Sequence, residues 1–267
     1  MTVVDRLTTI AGEPIVMRGL SKSYVTTAGR NPVLDGIDID IAPGELISLV
    51  GPSGCGKSTI LKILAGLIPY DEGEVSLGGQ PPREGRRDVG LMLQQAVLMP
   101  WRSVAGNIRL PFDLARLNGP EVEERVAQLV ELVGLSHAVE HRPWELSGGM
   151  QQRVSLARAL SLDPGVMLLD EPFSALDEFK REHLGLEFTR MHEALGRTTI
   201  LVTHSIPEAV LMSDRIIALG ANPGRVLADI RVDLPRPRVA AMIGTPAFME
   251  TSQKVRQALV GEDGLLA

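Results

Sequence analysis

A chain of 267 residues can bury one sizeable core, or one core with a smaller attached lobe, which is room enough for an enzyme. Apolar residues make up 44% and charged residues 22%, an ordinary globular balance that excludes a disordered or low-complexity polypeptide. The formal charge of -6 argues against a nucleic-acid partner, because such binders concentrate basic groups to displace counterions from phosphate.

One cysteine cannot form an internal disulfide, so nothing demands an oxidising compartment and a cytoplasmic address is expected. The opening MTVVDRLTTIAGEP lacks the basic-then-apolar pattern of a signal peptide. No run approaches the roughly 18 to 20 apolar residues that cross a bilayer, so any work at a membrane would go through a partner that spans it.

In chain order, Ile37, Ile39 and Ile41 alternate with Asp38 and Asp40. This period of two predicts a half-buried strand of an N-terminal antiparallel sheet, with 14–20 as its partner. Residues 45–50, ELISLV, are apolar on both faces, as a strand buried within a mostly parallel sheet requires. A glycine-rich turn and the helical text KSTILKILAGL follow.

Between about Gln95 and Pro143 the character changes: Val122, Val126, Leu129, Val130 and Val133 fall at helical spacing, which predicts a helical insertion beside the core. The runs 166–169 and 199–202 are again continuously apolar, each after a helical segment, a βαβ rhythm that implies an α/β core. Residues 216–219 and 226–232 flank Asn222-Pro223-Gly224 and read as a closing hairpin. There is no internal repeat, so the chain holds one such unit.

Gly51-Pro52-Ser53-Gly54-Cys55-Gly56-Lys57-Ser58, continued by Thr59, matches GxxxxGK[ST] between a buried strand and a helix. Glycines let successive N–H groups turn inward around phosphates, and the helix N-terminus adds a favourable field. Lys57 is expected to reach the β and γ phosphates of ATP and Ser58 to ligate Mg²⁺; the bland alternative is a flexible surface loop. Most single cysteines are inert core residues, but Cys55 lies within this cradle, so a thiol alkylator is expected to inactivate the protein and ATP to protect it.

The run 166–169 ends in Asp170 and Glu171 before Pro172. A carboxylate at that tip, Asp170, can hold Mg²⁺, and Glu171 is placed to orient or deprotonate an attacking water. The alternative is an acidic loop after a strand. Leu146-Ser147-Gly148-Gly149-Met150-Gln151-Gln152-Arg153 sets a serine and two glycines before helical text carrying Val154, Ala157 and Leu160. That makes a second anion-binding helix start, or simply a capped helix.

This last string resembles the signature of the ATP-binding cassette (ABC) family, and the resemblance covers about 14–233. It implies a P-loop NTPase cassette: an N-terminal antiparallel β subdomain, a RecA-like mostly parallel sheet core and a helical lobe. The cassette would span 14–240, with core about 14–94 and 160–240 and lobe about 95–159, followed by a short C-terminal helical tail, 241–267. In the family the signature of one cassette contacts the γ-phosphate of ATP held on another. The resemblance therefore implies a head-to-tail pair, a homodimer enclosing two ATP, in which Ser147, Gly148 and Gly149 serve the partner.

Other landmarks come from the same resemblance. Tyr24 matches the aromatic that stacks on adenine, and Gln94 the glutamine that reaches Mg²⁺ and the γ-phosphate; Gln94 is preferred to Gln95 because Trp101 then falls at the spacing of related importers. Ser174-Ala175-Leu176-Asp177 matches the D-loop at the dimer seam, and His204 the switch histidine. Met150 departs from the glutamine of many cassettes but leaves Ser147 and Gly149 intact.

The text His204-Ser205-Ile206-Pro207-Glu208-Ala209, then Ser213-Asp214-Arg215, Asn222-Pro223-Gly224-Arg225 and the stretch from Val232 to Arg238, looks like that of importers for nitrate, taurine and alkanesulfonates. It implies separate permease subunits, indirectly a solute-binding protein, and a peripheral position on the cytoplasmic membrane face. Met99-Pro100-Trp101 would form the socket for a permease helix, or else lobe core. The rival readings are the ATPase of an exporter or lipid transporter, and a soluble cassette working on DNA or ribosomes.

Overall fold

The computed structural model describes residues 12–27, 29–174 and 176–260; the expected leaderless start and the last residues of the expected tail lie outside them. The first sheet is antiparallel, in the order β2-β1-β4, from β1 (Ile15–Thr26), β2 (Gly29–Ile41) and β4 (Glu72–Leu77). Ile15 stands opposite both Ile41 and Leu77, and Ile37, Ile39 and Ile41 are buried while Asp38 and Asp40 face water, as the alternation predicts.

The second sheet has six strands: β3 (Leu46–Val50), β5 (Val89–Met92), β6 (Val166–Asp170), β7 (Thr198–Val202), β8 (Arg215–Leu219) and β9 (Val226–Arg231). Their order is β5-β6-β7-β3-β8-β9, parallel except for β9, which closes the predicted hairpin. Both faces are covered, which explains the mostly apolar text of β3, β6 and β7. Ile47, Leu49, Leu168, Ile200, Val202 and Ile217 point to one core, shared with the first sheet and with α1 (Lys57–Leu64). Leu46, Val50, Met167, Leu169, Leu201 and Ile216 point to a second core, shared with the remaining helices.

Those helices are α2 (Val104–Leu114), α3 (Pro120–Leu132), α4 (Gly148–Ala159), α5 (Glu178–Leu195), α6 (Ile206–Met212) and α7 (Pro246–Val260). α2, α3 and α4 pack on one another, and Val122, Val126, Leu129 and Val130 form the buried stripe of α3. Buried Asn107 in α2 clamps the preceding loop: its amide nitrogen donates to Met99 O, Arg102 O and Ser103 O, and its oxygen accepts from Met99 N at 2.7 Å. α7 buries Phe248 and Val255 and packs on α6, β8 and β9, so the described part of the tail is docked on the core.

The order of strands decides where ligand-binding loops can meet. β7 lies between β3 and β6, with Val202 paired to Leu49 on one side and to Asp170 on the other. The loops leaving β3, β6 and β7 therefore converge at one carboxyl edge, where parallel α/β sheets bind their ligands. No helix among the described residues is long and apolar enough to cross a membrane.

Candidate functional site

The glycine-rich loop follows β3 and turns back over its end. Gly51 sits where an added Cβ would come within 2.4 Å of Leu219 O, and Gly56 adopts φ 95° with its would-be Cβ 2.4 Å from Leu34 Cδ2. No other residue fits either position without displacing its neighbours. Lys57 Nζ, on a residue only 8% exposed, donates to Gly51 O at 2.7 Å and to Pro52 O at 2.9 Å, so the ammonium holds the loop in a ring. α1 begins on Gly56 with no side-chain cap, and its first N–H groups are left for an anion.

Cys55 departs from the expectation that it presents a reactive thiol. Its side chain is fully buried in the core beneath the loop, 3.5 Å from Lys57 Nζ, and only its backbone belongs to the cradle. Alkylation therefore requires the loop to open.

Above the loop is a cleft of about 540 Å³. Ser53, Gly54, Gly56, Lys57, Ser58, Thr59 and Val33 line it, together with Gln94 after β5, Glu171 after β6 and His204 after β7. The sheet thus gathers three separate stretches of sequence around the phosphate loop. Asp170, 5% exposed, sits behind them; burial raises its carboxyl above the ordinary range, an effect its hydrogen bond with the Ser58 side chain opposes.

Glu171 has φ 49°, the left-handed region that a side chain disfavours, at a cost of about 1–3 kcal/mol. The conformation is fixed from both ends. Glu171 N donates to Val202 O at 2.9 Å, and Glu171 O accepts from Ser174 N and from Ser174 Oγ at 3.0 Å. So held, its Oε2 accepts from Gln94 Nε2 at 2.9 Å and lies 3.4 Å from His204 Nδ1. Sequence reasoning missed Ser174 Oγ as the group that holds this turn.

Other expected site residues stand apart from the cleft. Tyr24 is 38% exposed on β1, opposite Asn31, with Lys22 Nζ 5.6 Å from its ring centroid. Asp177 caps α5, accepting from Lys180 N at 3.0 Å and pairing with Lys180 Nζ at 2.9 Å. Ser147 caps α4, its Oγ accepting from Met150 N at 3.3 Å; Ser147 and Gly148 are exposed, and neither they nor Gly149 line the cleft. Leu176 Cδ2 lies only 2.3 Å from where a Cβ on Gly149 would be, so that glycine seats the loop that precedes α5; Ala175 of that loop is outside the described residues. Trp101 is 68% exposed, which makes it surface and not lobe core; Trp144, unremarked in the sequence, is 70% exposed, and Arg142 from its loop donates to Trp101 O.

Known proteins are similar to this chain in sequence and in fold. The family model described as ABC transporter matches residues 34–174, from β2 through Ser174. The aliphatic sulfonates import ATP-binding protein SsuB of Bacillus subtilis (strain 168) is 42% identical over 236 residues, 88% of this chain and 89% of that protein. The taurine import ATP-binding protein TauB of Escherichia coli O157:H7 is 38% identical over 224 residues, 84% and 88% respectively. Among solved structures, the dimeric post-hydrolysis state of the ATP-binding cassette MJ0796 bound to ADP and Pi superimposes with a TM-score of 0.75 at 30% identity, covering 83% of this chain and all of that one. The family model spans the phosphate loop, the two carboxylates and the signature string, so the fold, the cleft and the matches agree: this chain belongs to the ABC transporter family, as an ATP-hydrolysing cassette.

Proposed function

We propose that the chain powers the import of a small solute of the sulfonate or taurine type. Two copies pair head to tail, each gripping ATP in its glycine-rich loop and completing the other's site with Ser147, Gly148 and Gly149. The observation that supports the pairing is that the α4 start, a serine and two glycines at a helix N-terminus, is exposed and lies outside its own chain's cleft. A second copy would supply the missing half, as the dimeric form of the similar cassette MJ0796 suggests.

Within each site Glu171 is the base that takes a proton from the attacking water. Gln94 and His204 hold its carboxylate, and His204 reads the γ-phosphate. Tyr24 is the adenine platform, and Asp177 lies at the seam. Ser58, Asp170 and Gln94 fit Mg²⁺: they are hard oxygen donors with one buried carboxylate, and no cluster of three His, Cys, Asp or Glu that could cage a metal by itself exists among the described residues. Mg²⁺, when bound with the nucleotide, neutralises phosphate charge; the side chains do the positioning. ATP binding closes the pair and hydrolysis reopens it.

The exposed Trp101 and Trp144 supply an apolar face for separate permease subunits at the cytoplasmic side of the membrane, and a solute-binding protein delivers the cargo to those permeases. The test is a purification from detergent and a sizing experiment. Co-purification with a multi-span permease, and pairing of the Glu171→Gln variant in Mg-ATP, support the reading. Capture of ribosomes or DNA, or a variant that stays single at saturating Mg-ATP, overturns it.

A further inference from the structure

Glu208 stands in the first turn of α6, four residues beyond His204. Its Oε2 accepts from Thr203 Oγ1 at 3.1 Å, Thr203 Oγ1 accepts from Ser205 N at 3.0 Å, and Ser205 Oγ accepts from Glu208 N at 3.3 Å. The residues on either side of His204 are thus both tied to Glu208, which fixes the turn that aims the histidine at Glu171. That accounts for half of the carboxylate. The other oxygen, Oε1, is buried and has no hydrogen-bond partner among the described residues.

The same holds for Arg181 Nε in the first turn of α5, and the two charges lie within Coulombic reach of each other. Arg181 is otherwise engaged with the loop before α5: its Nη2 donates to Leu176 O at 3.0 Å. Leu176 in turn is the side chain seated on Gly149 at the start of α4. A buried carboxylate oxygen and a buried guanidinium N–H, each unpartnered and mutually attracted, are costly to leave apart unless another state of the molecule joins them.

We infer that Glu208 and Arg181 are a positioning pair whose free atoms meet when the cassettes close on nucleotide, so that the His204 turn and the signature start on Gly149 move as one. The inference rests on the proposed exchange of signatures between two chains. It links the histidine that serves a chain's own ATP to the cap that the same chain lends its neighbour.

The charges around Glu208 give this pair a pH dependence. Burial pushes its carboxyl up to about 7; Arg181 on α5 pulls it down, and Glu171 at the end of β6 pushes it up. Below about pH 7 the acid is neutral and the pair loses its attraction. Gln mimics that neutral form while keeping an acceptor for Thr203.

The experiment is steady-state Mg-ATP hydrolysis by wild type, Glu208→Gln, Arg181→Met and the double variant at pH 6 and pH 8, with ATP binding and melting temperature as fold controls. At pH 8 each single variant should lose about tenfold in kcat with KM changed less than about twofold, and the double should lose no more than the worse single. At pH 6 the Glu208→Gln deficit should shrink below about threefold, because wild type is then largely neutral there too. Should Arg181→Met fail to fold, Arg181→Lys, which keeps the charge and loses the fork, should give an intermediate deficit. Additive losses, wild-type rates, or a deficit equal at both pH values would overturn the pairing. If the variants behave normally while Glu171→Gln still pairs in Mg-ATP, this inference alone fails; if Glu171→Gln never pairs, the exchange of signatures fails and takes the inference with it.

Discussion

Two glycine-bearing helix starts in this chain are finished differently. α1 emerges from a loop that Lys57 closes from inside, on a glycine with no side-chain cap, facing a cleft whose other walls come from the same chain. α4 carries its own serine cap and opens onto solvent. One end is closed within its own chain, and the other is an open surface. On the proposed reading the second start serves a nucleotide held by another molecule, and hydrolysis is then a measure of pairing.

The strongest way to sharpen this contrast is to remove the base that belongs to the α1 side. Glu171→Gln should cut kcat by about 10² to 10⁴ while Mg-ATP remains bound in a filter assay. Next, Lys57→Ala damages only the α1 end and Ser147→Arg only the α4 end, so each should be inactive alone. Mixed in equal amounts, they should regain about a quarter of the wild-type rate, since half the pairs are mixed and each of those has one intact site. A mixture as inactive as its components would break the comparison.

The glycines provide a finer contrast, read by denaturant unfolding. Gly56→Ala meets a strained φ as well as Leu34 and Val33 O, and should cost about 3 kcal/mol. Gly149→Ala meets only the end of the flexible Leu176 side chain and should cost about 1 kcal/mol, with Leu176→Ala restoring most of it. Smallest of all, Ser147→Ala should cost about 0.5 kcal/mol through the lost cap. α1 has no cap side chain to lose, so equal costs for Gly56→Ala and Gly149→Ala would say that the two ends are equally rigid.

Much of this was legible in the residues because local rules decide it. The mostly apolar text of β3, β6 and β7 follows from burial on both faces, and the alternation in β2 from burial on one. β4, which carries exposed Glu72 and Glu74, and the four-residue β5 offered too little pattern to read. The convergence of the three loops could not be read at all, because no residue announces that β7 lies between β3 and β6. For the same reason Gln94 and His204 joined Glu171 in one site only by resemblance, and the sheet order supplies the cause.

Where sequence reasoning went astray, orientation was at fault. Membership of the loop said nothing about which way Cys55 turns, and the loop folds so that its thiol faces the core. Trp101 was open between socket and lobe core until the Asn107 clamp fixed the loop that presents it. Glu208 and Arg181 stand on different helices, so no spacing rule joins them.

The chain has two tryptophans, Trp101 and Trp144; both are bare, their loops are joined by Arg142, and neither lines the nucleotide cleft. Native indole emission from this molecule therefore originates wholly from exposed surface, the face that the proposed docking to a permease would cover. Titrating a membrane component should shift that emission to the blue without any label, whereas nucleotide added to the lone cassette should leave it nearly unmoved. If that docking holds, the two indoles are an optical gauge of it that is blind to fuel.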